Sequence, residues 1–181
     1  MTTTVLVGNP RRGSRTATAA RAVAHHAARA TGLPPEQEVL ELADLSPLLL
    51  TPVPTLDVRS ALEQVSGSDL LVVASPTYKA TYTGLLKVFL DLLPSGGLEG
   101  VTAVPVLVMA SPAHTLAVDV HLRPLLLELG ATVPTSGLAL LQDTVPTDDD
   151  PGLRLDAVLE PWAHRSASAL RAAVRSRTTT V

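Results

Sequence analysis

Three arginines, a serine and a threonine are gathered in Asn9-Pro10-Arg11-Arg12-Gly13-Ser14-Arg15-Thr16, directly after the apolar run Val5-Leu6-Val7-Gly8. This is the chemistry of anion recognition. Guanidinium forks match phosphate oxygens, and the hydroxyls of Ser14 and Thr16 add further donors. The alanine-rich stretch that follows reads as a helix. The loop would then also carry the free N–H groups and the positive dipole end of a helix start. Three arginines in a first turn oppose that dipole unless an anion sits among them. The segment is therefore read as a phosphate-monoester site, with an ordinary basic helix start capped by Ser14 as the plain alternative. It has neither the Walker lysine signature nor G-x-G-x-x-G, which excludes the mononucleotide P-loop and the dinucleotide fingerprint.

Two more polar segments follow apolar runs. One is Ser75-Pro76-Thr77-Tyr78-Lys79-Ala80-Thr81-Tyr82-Thr83-Gly84, after Leu70 to Ala74; the other is Ala110-Ser111-Pro112-Ala113-His114-Thr115, after Val104 to Met109. Of the aromatic residues, Tyr78, Tyr82 and Phe89 fall close together and only Trp162 lies apart. Conventional catalytic sets are not suggested. The histidines are scattered, with His25 and His26 expected at a surface or interface, and no Ser/His/Asp arrangement is apparent. The absence of cysteine removes disulfides, thiolate zinc sites, iron–sulfur clusters and cysteine nucleophiles. Asp148-Asp149-Asp150-Pro151 is better explained as acidic capping of a helix than as a metal site. Neither a catalytic acid, base or nucleophile nor a metal ligand set is expected.

The elements that would position these loops alternate. Strands are expected at Val5–Val7, Glu38–Leu42, Leu70–Ala74, Val104–Met109 and Thr132–Leu141. Helices are expected at about Ser14–Ala30, Val58–Val65, Leu85–Leu93, Leu116–Leu129 and Gly152–Ser176, the last with a bend at Pro161. Lys87 and Asp91 stand at i,i+4 on one helix face. Ser46 to Thr55 reads as an irregular loop with an apolar patch at Leu48-Leu49-Leu50. Strands alternating with helices predict a three-layer α/β sandwich with a parallel sheet and right-handed crossovers. In strand order 2-1-3-4-5 the three polar loops line one crevice at the carboxyl ends of the strands, where such sheets bind ligands.

At 181 residues, expected to form a single domain over 1–177 with a short tail at 178–181, the chain has length for a sizeable core. Hydrophobic residues at 46% against 17% charged mark it as globular. A net charge of -3 argues against nucleic acid as a partner and makes the basic loop stand out. Apolar runs fall short of the ~18 residues of a membrane span, and Met1-Thr2-Thr3-Thr4 lacks an export-signal pattern, so a cytoplasmic location is expected.

These segments together resemble the NADPH-dependent FMN reductase family, a flavodoxin-like group. Gly8-Asn9-Pro10-Arg11 with Ser14-Arg15-Thr16 is similar to its G-S-P-R-x-x-S-R-[ST] phosphate loop, with Asn9 in place of serine. Pro76, Tyr78, Gly84 and Leu86-Lys87 match its P-x-Y-x-x-x-x-x-G-x-L-K segment. Ala113-His114, Leu116 to Asp119 and Pro124 resemble the branch associated with sulfonate and sulfur utilisation. The resemblance covers the chain to about Gly130. It implies that Asn9, Arg11, Ser14, Arg15 and Thr16 surround the FMN phosphate. It also implies that Pro76, Thr77, Tyr78 and Lys79 line the isoalloxazine edge, and that Ser111 and His114 lie in the loop on its other side. The implied activity is hydride transfer from NADPH to flavin N5, with FMN and NADPH as cofactors. The cofactor carries that chemistry, so no catalytic side chain is required. A flavin-dependent monooxygenase is the implied partner, while the Lys87 and Asp91 pair and the apolar helices suggest a homo-oligomer, a homo-dimer or homo-tetramer. Rival readings are an FMN-bound quinone or azo reductase, a flavin-binding electron carrier, and a non-catalytic oligomer subunit. Two departures stand out: Ala110-Ser111-Pro112 replaces the usual glycines of the third loop, and Val120 replaces the tyrosine frequent in the sulfonate branch.

Overall fold

The computed structural model describes residues 1–35, 37–147 and 154–178, with side chains described as far as Val174. In chain order the elements are β1 (Thr3–Val7), α1 (Arg15–Thr31), β2 (Gln37–Glu41), α2 (Leu42–Leu45), α3 (Leu56–Ser66), β3 (Leu70–Pro76), α4 (Gly84–Leu90), β4 (Thr102–Met109), α5 (Arg123–Glu128), β5 (Leu138–Leu141) and α6 (Arg154–Thr178). All strand pairs are parallel, and the sheet order is β2-β1-β3-β4-β5, as the alternation predicts.

The three central strands are mostly apolar and are buried along their whole length, because helices cover both faces. Alternate side chains go to opposite layers. Val5, Val7, Val72, Ala74, Val104 and Val106 pack beneath α1 and α6. Leu6, Leu71, Val73, Ala103, Leu107 and Met109 join Leu86, Phe89 and Leu126 on the other side. The buried face of α1 is small (Ala17, Ala20, Ala24, Ala27 and Ala28 around Val23), which lets that helix lie close to the sheet. Ser14 caps its start by accepting from Ala17 N, and Gly32, at φ +79°, ends it in the left-handed conformation glycine favours.

Several expectations need correction. β3 runs on through Ser75 and Pro76, which pair with Leu107 and Val108, so the polar loop begins only at Thr77. The stretch expected as one helix from Leu116 to Leu129 is a π-helical turn, Val118–Leu122, leading into α5. Pro124 has no N–H to donate there, which disfavours a regular α-helical ladder across the junction. β5 is much shorter than expected. Thr132 makes only an isolated bridge to Thr102, and residues 133–137 are irregular. That segment contains Pro134 and is held by side chains: Arg123 donates to the carbonyls of Thr135 and Val133, and Asp119 accepts from Gly137 N at 2.9 Å. The Ser46–Thr55 segment is partly ordered by a 3₁₀ turn over Ser46–Leu48; Leu49 is buried in the core while Leu50 stays exposed. Phe89 is a core residue of α4 and takes no part in an aromatic cluster at the loop. α6 does contain Pro161. Asp148-Asp149-Asp150-Pro151 lies outside the described residues.

Candidate functional site

The carboxyl ends of β1 and β3 are clasped before any ligand is considered. Gly8 N donates to Ala74 O at 2.7 Å. Thr83 Oγ1 donates to Gly8 O at 2.6 Å and accepts from Leu86 N at 3.2 Å, so one side chain caps α4 and ties it to the first loop. Thr83 N in turn donates to Ser75 Oγ at 3.0 Å. Glycine is required at position 8, because a Cβ there would stand 2.6 Å from Leu86 Cβ.

Beyond Gly8 the loop folds on Asn9, which is buried. Its Oδ1 accepts from Arg11 N at 2.9 Å, an Asx turn, and its Nδ2 donates to Thr16 Oγ1 at 3.1 Å. Asn9 is thus a strut that sets loop shape, with both ends of its amide engaged. Ser14 Oγ accepts from Ala17 N at 3.3 Å and Thr16 Oγ1 accepts from Asn9, which leaves each hydroxyl proton available to a ligand. Among the described residues the backbone N–H groups of Arg12, Ser14, Arg15 and Thr16 have no partner. Four free amides at the start of a 17-residue helix, two hydroxyl donors and the guanidinium groups compose an anion cup.

The outer side of the loop is anchored by acidic residues. Gly13, at φ +57°, donates its N–H to Glu41 Oε2 at 2.9 Å, and Glu41 also pairs with Arg21 at 3.7 Å. Arg12 Nε contacts Asp44 Oδ1 at 2.9 Å. Arg11 and Arg15 make no ion pair among the described residues. The charge left over for a ligand therefore sits mainly on those two.

The second wall is built by the end of β3. Thr77 N donates to Val108 O at 2.8 Å, extending the pairing with β4 by one bond. Tyr78 and Thr81 then exchange backbone bonds (2.9 and 3.3 Å) across Lys79 and Ala80, whose φ values are +52° and +67°. Two consecutive non-glycine residues in the left-handed region cost of order 1 kcal/mol each. This strain is concentrated in the segment that adjoins the cavity. Thr77 Oγ1 is buried without a partner.

Between the walls lies a cavity of about 330 Å³, within the range of ligand sites. Of the residues singled out from sequence, Asn9, Arg11, Ser14, Arg15, Thr16, Pro76 and Tyr78 line it. Thr77 and Lys79 adjoin it without lining it. Ser111 and His114 lie in a 3₁₀ turn, Pro112–His114, after β4, where Ser111 Oγ accepts from Ala113 N at 3.3 Å; they are not brought into the cavity. Arg12, Val108 and Gln142 complete the lining. Gln142 directly follows the last residue of β5, so the rule that ligands gather at strand ends could have found it. Thr83 carried no sequence signal beyond its place before a helix.

A flavodoxin-like sheet with an anion cup after its first strand defines the class of fold and site. The chain belongs to the NADPH-dependent FMN reductase family: the sequence model of that family matches residues 1–144. A protein of Escherichia coli (strain K12) named FMN reductase (NADPH) is 45% identical over 74 residues, which is 41% of this chain and 39% of that protein. A Pseudomonas putida protein named NADH-dependent FMN reductase SfnF is 42% identical over 69 residues, 38% of this chain and 37% of that one. These alignments thus span about two fifths of the curated relatives' length. Structural likeness runs further. The apo form of an NADH:FMN oxidoreductase (EMOB) superposes with a TM-score of 0.75 at 31% identity, covering 97% of this chain and 89% of that one. An oxidoreductase from Corynebacterium diphtheriae gives 0.78 at 29%, covering 97% and 98%. No helix among the described residues is long and apolar enough to cross a membrane.

Proposed function

We propose that the chain is an NAD(P)H:FMN oxidoreductase, with the loop of Asn9, Arg11, Ser14, Arg15 and Thr16 holding the FMN phosphate. The observation that carries this reading is the set of four unclaimed N–H groups beside two hydroxyl donors and two unpaired arginines. A dianionic phosphate monoester supplies the acceptors that such a donor set lacks.

Each residue then has a defined task. Ser14 and Thr16 donate O–H to phosphate oxygens while accepting from the protein, so their rotors are fixed. Arg11 and Arg15 neutralise the charge. Pro76 and Tyr78, with Thr77 and Lys79 beside them, offer a flat apolar wall for the ring system. Ser111 and His114 face the ring's far side only if the turn after β4 moves toward the cleft. FMN, when bound, supplies the hydride-accepting chemistry, so the protein contributes orientation and exclusion of water. The reading extends to delivery of reduced flavin to a monooxygenase and to assembly as a homo-dimer or homo-tetramer, the latter supported by exposed apolar Leu116, Val120 and Leu127.

The test is NADPH consumption by the purified full chain with FMN, riboflavin or FAD added. Turnover stimulated most by FMN is expected. NADPH loss indifferent to any flavin, with FMN bound in equilibrium dialysis, would replace the enzyme by a carrier.

A further inference from the structure

A second cavity, of about 530 Å³, lies at the opposite edge of the sheet from β2 and away from the flavin loop. One side is the irregular segment of residues 134–137 with the first residues of β5. The other is one face of α6, on which Val158, Trp162, Arg165, Ser166 and Ala169 recur at helical spacing. Its segment side is rigid. Arg123 holds the carbonyls of Val133 and Thr135, and Asp119 holds Gly137 N. A Cβ on Gly137 would stand 2.4 Å from Val118, so the backbone there is packed without slack.

Two lining residues carry buried polar atoms that have no partner. Trp162 is only 7% exposed, yet its indole Nε1–H donates to nothing, and Thr135, at 8%, has a buried hydroxyl in the same condition. Buried donors are almost always paired, and each exception calls for a cause. Both atoms are covered by neighbouring protein, so a ligand in the cavity reaches either one only after a local side-chain adjustment. At its exposed border stands Arg165, which makes no ion pair among the described residues. Among the described residues no carboxylate lines the space, while Pro134, Leu138, Ala139, Val158 and the Trp162 ring give it an apolar body. Donors and a cation above an apolar floor suit an anion with a hydrocarbon tail.

We propose that this cavity binds an amphipathic carboxylate, its tail between β5 and α6 and its head on Arg165, with a conformational adjustment that lets it accept from Trp162 Nε1 or Thr135 Oγ1. The site is separate from the flavin loop and does not depend on the function proposed for that loop.

Octanoate is the probe, with octanol as its uncharged counterpart. Trp162 is the chain's one tryptophan, so its emission reports on this cavity alone. Octanoate is expected to give a saturable emission change in the full chain, matched by calorimetry and unaltered by prior saturation with FMN in the calorimeter. Arg165→Gln should weaken octanoate about tenfold, the scale of one charge-assisted contact, and leave octanol unchanged. Thr135→Val, which keeps the shape, should weaken it less. The proposal is overturned by any of three results: no saturation, equal octanoate affinity in Arg165→Gln, or displacement of octanoate by FMN.

Discussion

Replacing Arg15 by alanine separates phosphate recognition from ring recognition. Arg15 lines the cavity beside the loop after β1 and makes no ion pair among the described residues, whereas its neighbour Arg12 is held on Asp44 at 2.9 Å. A hydrogen bond to a charged group contributes roughly 1.5–3 kcal/mol. Arg15 is exposed, so solvent screening places its contribution near the lower end, about 1.5 kcal/mol or roughly tenfold in Kd. FMN should therefore bind about tenfold more weakly to Arg15→Ala, while riboflavin, which lacks the phosphate, should change less than about twofold. Arg12→Ala is the internal control. Its guanidinium is already engaged, so the FMN loss should be about threefold or less. Titration of flavin fluorescence at low ionic strength reads each of these affinities against the unsubstituted chain. The Arg15 effect should shrink as salt is added. Equal losses of FMN and riboflavin, or a larger effect at Arg12 than at Arg15, would refute the assignment of charge in this loop.

Glu41→Gln keeps an acceptor for Gly13 N but removes a negative charge beside the loop. FMN affinity should rise a few-fold at low salt, about 0.3–1 kcal/mol, and the gain should vanish in concentrated salt; a loss of affinity would show that the carboxylate itself is needed. Gly8→Ala forces a Cβ to within 2.6 Å of Leu86 Cβ, where relief requires α4 to move. A destabilisation of about 1–3 kcal/mol is expected, read as a lower denaturant midpoint together with weaker FMN binding. Lys87 has its pKa raised above 10.5, chiefly by its hydrogen bond to Asp91 at 2.5 Å. The pair's stabilisation is complete below 10.5 and is lost as pH rises through the folded-state value. Asp91→Asn should lower the Lys87 titration seen by NMR, flatten stability over that alkaline window, and remove at neutrality the small stabilisation that this exposed pair supplies there. Arg123→Met frees the carbonyls of Val133 and Thr135, so hydrogen exchange across residues 131–138 should speed up while FMN affinity holds.

The parallel sheet and its order were legible because Val5–Val7, Leu70–Ala74 and Val104–Met109 are uninterrupted apolar runs separated by helical patterns. β5 was less so. Its pairing is only four residues long, and the segment before it is fixed by Arg123 and Asp119, contacts that no local pattern announces. The π turn was hidden for a similar reason, since Val118–Leu122 reads as ordinary helix until the Pro124 junction is placed. In the cavity lining, Arg11, Ser14, Arg15 and Thr16 were readable from their types as an anion-binding set, whereas Pro76 and Tyr78 came through the family resemblance. Thr83 and Glu41 act through contacts made only in the folded chain: a 75-residue separation for Thr83 to Gly8, 28 for Glu41 to Gly13. Asn9 also has a structural task that its sequence position does not announce: its amide bonds Arg11 N and Thr16 Oγ1 and so holds the shape of the loop.

The central claim is that the loop at the start of α1 holds a phosphate monoester in its backbone amides. A crystal structure of the full chain with FMN tests it most directly. The account predicts phosphate oxygens within hydrogen-bonding distance of Ser14 Oγ, Thr16 Oγ1 and the free N–H groups, with Arg15 turned inward. A flavin bound with its phosphate away from this loop, toward solvent or another face, would contradict it.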